Sequence, residues 1–387
     1  DDFIWGGDLR ALNAAIEGMR SQGIQVKTAK TAEELTDCRF AFISNTCDDR
    51  RPEMKILEEA KVPFCLVGFH EDFAGYYPVS MGFSEYIGKI LTKEENNGVL
   101  HTLEDLWDNP EIVHIYNHCT PPNVLYNLSV MRNARFCLAA SDTEARVMRR
   151  DCPKAAVETV YWDIPLLRET EEGDDSFLSL ANLEKGGYIL QVGRIETRKN
   201  QLATILATKD MDVPLVFIAT RGYQKWYELL AVNAAAQYRK APTYFICEEH
   251  PTQQVGNQAS IIQMPGGQKL PESWLVSAYK NCGLYMHPAF YEAPGYTYLE
   301  AAHIGKPVVA SSWGCLRDYC AFQGGDTTMG GRFTYVAPYN LPALEQAARA
   351  QFGRSSEAHY KHPIFDRTTA DVGREIYDCL DRHFDKK

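Results

Sequence analysis

The chain has 387 residues, more than a single hydrophobic core usually spans, so two domains of about 150 to 200 residues each are expected. Hydrophobic residues make up 45% and charged residues 24%, a composition typical of a globular enzyme. The net charge of −11 argues against a nucleic-acid partner, because such binding needs a basic surface, and no stretch reaches the roughly 18 apolar residues of a membrane span.

The 11 cysteines are scattered from Cys38 to Cys379, and no Cys pair or Cys/His group has the spacing of a zinc site. Free thiols in this number suit a reducing compartment, and no signal-peptide pattern is visible. We therefore expect a cytoplasmic protein that binds no metal.

The first half of the chain alternates short apolar runs with helical patterns, and the turns between them carry Gly, Pro, Asn or Asp. This alternation indicates a parallel α/β sheet. The predicted elements are strand 3–5, helix 9–22, strands 24–28 and 40–44, helix 53–60, and strands 64–68, 112–116, 136–140 and 158–162. Residues 79–109 do not follow the alternation and are interpreted as an insertion with helical pieces.

The stretch 168–185 is acidic and polar, which is typical of a solvated loop, and we place the domain boundary there. The predicted domains are therefore 1–170 and 186–369, with the amphipathic C-terminal helix 370–387 packing back on the first. The second domain repeats the alternation: strand 188–192, helix 200–208, strand 215–219, helix 223–237, strands 243–247 and 261–262, helix 271–281, strand 283–286, helix 299–304 and strand 307–310.

The segment Phe290–Glu300 is the strongest candidate for chemistry. A predicted strand precedes it, and a helix opens between Glu292 and Glu300, so it lies at the sheet edge where ligands bind. The turn Pro294–Gly295 permits close backbone approach, and the N–H groups of residues 295–297 would face an anion at the helix N-terminus. The two carboxylates suit sugar hydroxyls. From this segment alone, two ordinary surface glutamates remain an open alternative.

The segment Val192–Asn200 is the second candidate. A buried strand ends at Gly193 and is followed by three cations, Arg194, Arg198 and Lys199. Arginine offers a two-pronged donor to phosphate and lysine a mobile charge, so together they would neutralise a departing diphosphate. A solvated basic loop is the alternative.

These two segments, together with Ala302–Ser311, resemble the retaining glycosyltransferases of GT-B architecture in the large family numbered four. The three strings occur in the order and spacing of that family. The resemblance implies an α/β fold of two Rossmann-like, doubly wound parallel-sheet domains that face each other across a cleft. It also implies a glycosyltransferase activity that retains the anomeric configuration.

The resemblance implies roles for individual residues of the second domain. Arg194 and Lys199, beside Gly193, match the pair that binds the donor diphosphate. Glu292 matches the residue that holds donor-sugar hydroxyls, and Glu300 matches the one that binds the ribose.

The resemblance also implies backbone and nucleobase contacts. The amides expected under the sugar and phosphates belong to Gly295, Tyr296 and Thr297. The residues expected to line the nucleobase are Met264, Pro265 and Gly266. The usual loop of the family is richer in glycine and phenylalanine than Ala293–Pro294, so the identity of the donor sugar stays open.

The first domain offers weaker signals. Gly6 and Gly7 lie where the family often has a glycine-rich loop near the phosphate and acceptor, although an ordinary strand-to-helix turn is equally compatible. His70 follows a buried strand and resembles the family's histidine near the reacting sugar, acting through its imidazole or the neighbouring backbone. His114 and His118 are its rivals.

The implied reaction transfers a hexose or pentose from a UDP or GDP type of sugar nucleotide to a carbohydrate or glycolipid hydroxyl, with no metal and no other cofactor. Two alternatives are an epimerase or phosphorylase of the same architecture and a non-catalytic sugar-nucleotide-binding protein. A basic helical face of Arg146, Arg149 and Arg150 leaves peripheral membrane contact open, with a solvated face as the alternative.

Overall fold

The computed structural model describes residues 7–46, 49–93, 121–164, 175–219, 224–248, 251–264, 267, 270–354 and 360–384. Several predicted features lie outside these ranges: the strands at 3–5 and 112–116, Gly6, His114, His118, Pro265 and Gly266.

The first unit is built on a four-stranded parallel sheet whose strands neighbour one another in chain order. The strands are β1 (Ala41–Ser44), β2 (Phe64–Val67), β3 (Cys137–Ala139) and β4 (Val157–Thr159). The helices are α1 (Gly7–Ser21), α2 (Arg51–Ala60), α3 (Phe73–Lys93), α4 (Pro121–Asn133) and α5 (Asp142–Asp151), with a 3-10 turn at Glu33–Leu35. β2 and β3 are buried along their whole length, as expected of central strands in a parallel sheet.

Two predictions for this unit need correction. Residues 24–28 form no strand, because a strand needs a hydrogen-bonded neighbour and none of the described strands pairs with them. The predicted insertion at 79–109 is helical as far as Lys93, but it continues α3, which begins earlier at Phe73. Pro78 lies inside this helix, and because proline usually ends a helix, the sequence does not indicate that the helix continues through it.

The second unit is an eight-stranded sheet, parallel except for one edge. Its strands are β5 (Ile189–Val192), β6 (Leu215–Ala219), β7 (Thr243–Cys247), β8 (Gln253–Val255), β9 (Ala259–Gln263), β10 (Leu284–His287), β11 (Val308–Ser311) and β12 (Phe333–Val336). Six of them were predicted, whereas β8 and β12 were not. β8 is an exposed, polar antiparallel edge, so it lacks the apolar run of a buried strand.

The helices of the second unit flank this sheet. They are α6 (Gln201–Ala207), α7 (Lys225–Tyr238), α8 (Glu272–Asn281), α9 (Tyr296–His303), α10 (Leu316–Cys320) and α11 (Leu341–Gln351), with 3-10 turns at Ser176–Leu180, Thr197–Lys199 and Phe322–Gly324. None of the helices in the described ranges is both long and apolar enough to cross a membrane.

The strand order of the second sheet is β12-β11-β10-β5-β6-β7-β9-β8. The chain therefore builds outward from β5 in one direction and then returns with β10 to the other side of β5. In an open parallel sheet such a reversal leaves a crevice beyond the carboxyl ends of the two strands, and ligands bind there. Both candidate segments of the sequence follow these two strands.

Helix α3 links the two units. It starts in the first unit, and Ile87 on its far half is buried in the core of the second. Closer to its start, Tyr76 stacks on Tyr291 with ring centroids 5.6 Å apart, and Phe83 meets Phe290 edge-on at 5.9 Å. A helix packed on both units needs apolar residues on more than one face, which explains why its sequence shows no single stripe.

The chain ends with α12 (Pro363–Asp366) and α13 (Thr369–Phe384). α13 returns to the first unit and packs against α1 through a contact between Gly18 and Gly373. A Cβ placed on Gly373 would lie 2.0 Å from the Gly18 carbonyl oxygen, so the two helix backbones touch with no side chain between them.

We predict that Gly373→Ala lowers the free energy of unfolding by about 1 to 3 kcal/mol, because the added methyl forces the two helices apart. Urea denaturation measures this change. Gly82→Ala is the matched control: it lies within α3, where an added Cβ meets no atom within 4 Å. It should raise the free energy of unfolding by about 0.5 to 1 kcal/mol. Equal stability of Gly373→Ala and wild type would contradict the prediction.

Candidate functional site

The crevice begins where β5 ends. Gly193 follows Val192 with φ 147°, a backbone conformation that favours glycine. A Cβ at this position would lie 3.7 Å from Lys199 Cδ and 3.8 Å from His287 Cε1, so both side chains pack close to Gly193. β10 ends at His287, next to β5 in the sheet. The two strand ends therefore meet at Gly193, as the strand order requires.

Lys199 and Glu292 meet in this crevice. Lys199 ends the 3-10 turn Thr197–Lys199, and its ammonium donates to Glu292 Oε1. Both side chains are largely buried, at 14% and 10% exposure. Asn200 holds the two segments in place, because its amide donates to the carbonyls of Pro288 and Pro338, each at 2.8 Å. Two strings 93 residues apart in sequence thus form one ion pair.

Two arginines flank the pair in different ways. Arg194 keeps 31% of its side chain exposed, and its Nε lies 3.6 Å from Glu196 Oε2. Arg198 is 15% exposed and turned inward, where Nη2 donates to Glu196 Oε1 at 2.9 Å and Nη1 to the Tyr291 carbonyl at 3.1 Å. Arg194 is therefore the more accessible arginine for an incoming anion.

The charges in the crevice shift one another's pKa. Burial alone would raise the pKa of Glu292, but the cations of Lys199 and Arg198 outweigh it and lower the pKa to about 2. Burial lowers the pKa of Lys199, and Glu292 partly offsets this. Burial also lowers the pKa of His287 to about 3, which keeps its imidazole neutral. Glu292 is therefore a carboxylate at neutral pH, able to accept hydrogen bonds.

The second carboxylate lies on helix α9, as predicted, although the helix begins at Tyr296 rather than residue 299. Gly295 precedes it with φ 88°, and a Cβ there would lie 2.7 Å from the Tyr298 ring. The first amides of α9 belong to Tyr296 and Thr297 and lie at the N-terminus of the helix, the end that favours an anion. Glu300 is buried in the second turn and accepts from Tyr279 Oη at 3.0 Å.

Met264 follows β9, and its amide donates to the Cys247 carbonyl at 2.8 Å. Its side chain is only 2% exposed and packs in the core. The Met264 side chain is therefore not exposed to a ligand, and the other two residues predicted to line the nucleobase, Pro265 and Gly266, lie outside the described ranges.

His70 is held within the first unit. Its Nδ1 is 2.8 Å from Thr46 Oγ1, its Nε2 is 2.9 Å from Asp151 Oδ2, and its amide donates to Glu144 at 2.6 Å. Its carbonyl accepts from the side-chain hydroxyl of Tyr291, the residue before Glu292 in the chain, at 3.3 Å. The backbone of His70, and not its ring, thus faces the second unit. Gly7, the other candidate of this unit within the described ranges, begins α1.

Three residues at the crevice, Glu71, Tyr76 and His287, are not among the site residues predicted from the sequence. Glu71 reaches Arg198 Nε from the first unit at 3.4 Å, and Tyr76 donates to Glu71. His287 is fully buried and its Nε2 has no hydrogen-bond partner in the described part of the chain. Glu71 had a signal, since it follows β2 next to His70 at the carboxyl edge. Its distance from Arg198 depends on how the two units face each other, which no local pattern encodes.

Comparisons with known proteins bear on the fold. No protein-family model matches the chain, and no curated protein matches it in sequence. Sucrose-phosphate synthase from Thermosynechococcus elongatus is similar in structure, with TM-score 0.51 and 14% identity over 88% of this chain and 69% of that one. An apo structure of OtsA is also similar, with TM-score 0.51 and 11% identity over 96% of this chain and 76% of that one. These similarities and the two parallel sheets confirm the predicted GT-B fold.

We predict a specific acid sensitivity for the Lys199–Glu292 pair. The folded-state pKa of Glu292, about 2, is below its ordinary 4.5, so its stabilising contribution is present above pH 4.5 and is lost as the pH falls towards 2. Between these values the free energy of unfolding should fall more steeply in wild type than in Glu292→Gln, as measured by urea denaturation at stepped pH.

Glu345→Gln is the control for this measurement. Glu345 is an exposed carboxylate paired with Arg349 on the surface, where such pairs contribute little. Its variant should follow the wild-type curve. Parallel curves for wild type and Glu292→Gln would refute an ionised, paired Glu292.

Proposed function

We propose that the chain is a glycosyltransferase that moves a sugar from a nucleoside diphosphate sugar to a hydroxyl acceptor. One observation carries the proposal: Lys199 and Glu292 form an ion pair in the crevice between β5 and β10. Lys199 would supply a cation for the diphosphate, and Glu292 a carboxylate for the sugar hydroxyls. The two lie side by side in the crevice where open parallel sheets usually bind ligands. The GT-B fold is compatible with the proposal and does not by itself decide it.

In the proposed site, Lys199 and Arg194 bind the donor diphosphate, together with the first amides of α9. Glu292 accepts hydrogen bonds from hydroxyls of the donor sugar. Glu300 accepts from the ribose, for which it would exchange its contact with Tyr279. The donor is proposed to be of the UDP or GDP type, and the acceptor a carbohydrate or glycolipid.

The reaction we propose retains the anomeric configuration. The bond from the anomeric carbon to the diphosphate oxygen breaks while the acceptor oxygen bonds to the same face. The acceptor proton passes to the leaving diphosphate, whose growing negative charge Lys199 and Arg194 stabilise. Catalysis is then mainly positioning and electrostatic stabilisation, and these two cations supply the charge that a metal would otherwise provide. The carbonyl of His70, which accepts from Tyr291 Oη, is proposed to contact the reacting sugar.

The nucleotide and the diphosphate role can be tested together. Calorimetry with UDP, GDP and ADP, and with the corresponding glucose nucleotides, should reveal one preferred base. Lys199→Ala should then abolish donor turnover, because the leaving diphosphate loses its buried cation, while circular dichroism shows an intact fold. Lys209→Ala is the control, since Lys209 is a half-exposed lysine paired with Asp210. Full turnover by Lys199→Ala would remove the diphosphate assignment, and binding without any transfer would favour a non-catalytic protein.

The role of Glu292 gives a different prediction. Glu292→Ala should lower turnover of the full donor by about 100-fold or more, because a contact to the reacting sugar is lost. The bare nucleoside diphosphate should bind at least as tightly as to wild type, because Lys199 is released from its ion pair. Steady-state kinetics and calorimetry measure the two effects. Equal losses in both would refute the sugar contact.

A further inference from the structure

Arg198 is one of the three cations that the sequence predicts to neutralise the diphosphate, but the proposed site uses only Arg194 and Lys199. Arg198 instead lies beside the Lys199–Glu292 pair, with Nη1 3.5 Å from Glu292 Oε1. We propose that Arg198 is a positioning residue that fixes the Glu292 carboxylate, and that Glu71 of the first unit fixes Arg198 in turn. The inference rests on the proposed function and adds two residues to its site. It makes the geometry of the donor site depend on the approach of the acceptor-side unit.

The contacts of Arg198 show why it does not serve as a diphosphate ligand. Its guanidinium donates to Glu196 and to the Tyr291 carbonyl, and it lies 3.5 Å from Glu292 Oε1 and 3.4 Å from Glu71 Oε1. Its three nitrogens are thus all engaged by the protein. The Phe290 amide donates to its backbone carbonyl at 2.7 Å, which ties it to the same loop from the other side.

The balance of charge explains what Arg198 does for Glu292. Three cations and three carboxylates meet in the crevice: Arg194, Arg198, Lys199, Glu71, Glu196 and Glu292. We call these six residues the charge cluster. When Lys199 turns to a diphosphate, Glu292 loses its closest cation. Arg198 is the remaining cation of the cluster in contact with it, and it keeps the carboxylate charged and in place.

Glu71 connects this arrangement to the first unit. It follows β2, its Oε2 accepts from Tyr76 Oη, and its Oε1 faces Arg198. Tyr76 in turn stacks on Tyr291 with an angle of 16° between the rings, and Tyr291 precedes Glu292 in the loop. Separation of the carboxyl end of β2 from the second unit removes Glu71 from Arg198. The position of Glu292 is therefore set when the units are together.

Two variants separate positioning from anion binding. Arg198→Lys keeps the charge but cannot bridge four partners with one ammonium. Glu71→Gln removes the carboxylate from the first unit and leaves the second unit unchanged. Inorganic pyrophosphate is the probe of the anion site in calorimetry, and steady-state kinetics use the glucose nucleotide that wild type prefers.

We expect Arg198→Lys to lower kcat by about tenfold or more and Glu71→Gln by about threefold or more, with the Kd for pyrophosphate within about twofold of wild type in both. The control is Asp318→Asn. Asp318 also crosses between the units, accepting from the Thr143 amide at 2.6 Å, but it is not part of the charge cluster. Its kcat should stay within about twofold of wild type. Thermal unfolding checks that all three variants fold.

Each other result overturns the inference. A loss of pyrophosphate affinity that matches the loss of kcat in Arg198→Lys makes Arg198 a phosphate ligand. Wild-type kinetics in Arg198→Lys or in Glu71→Gln exclude a positioning role. A loss of kcat in Asp318→Asn as large as in Glu71→Gln assigns the effect to docking of the units in general. If wild type itself binds neither pyrophosphate nor any glucose nucleotide, the proposed function fails first, and the inference fails with it.

Discussion

Burial of the Lys199 ammonium and the Glu292 carboxylate is the constraint on which the site depends. Removing either charge from water costs several kcal/mol, and only a well-placed partner offsets that cost. The partner can be in place only if β5 and β10 are neighbours, with both carboxyl ends at one edge. The order of the strands in the sheet therefore decides whether the two charges can be buried as a pair. The Asn200 side chain then donates to the Pro288 and Pro338 carbonyls, in the loops that follow β10 and β12, and so holds the backbone next to Lys199 in place.

Much of this arrangement could be predicted from the sequence, for physical reasons. Strands buried on both faces are continuous apolar runs, so β5, β6, β7 and β10 were located to within one or two residues. β12 was missed, and the exposed edge β8, with its Gln-Gln-Val, carries no such signal. Residues 24–28 have the composition of a strand, but composition cannot guarantee a partner. The hydrophobic pattern of the sequence thus locates strands that are buried on both faces. It fails for exposed strands and for segments whose strand formation depends on a pairing partner.

The residues of the site likewise fall into those that the sequence pattern could predict and those that it could not. Lys199, Glu292 and Glu300 lie at strand ends and in a helix where a linear pattern can place them. The partners of Arg198 come from three separate segments and two units, and no spacing along the chain predicts their convergence. The sequence left open whether His70 acts through its imidazole or its backbone; in the structure both ring nitrogens are engaged within the first unit and the carbonyl faces the second unit.

The contact between Gly18 and Gly373 has a mechanical consequence. It attaches the last helix to the first, so the chain runs from the first unit into the second and returns to the first. Two covalent passages thus connect the units instead of one. A body joined to another at two points rotates most easily about the line through those points, and twisting about any other axis stretches one passage. The attachment of α13 to α1 therefore favours rotation about that line over other relative movements of the two units.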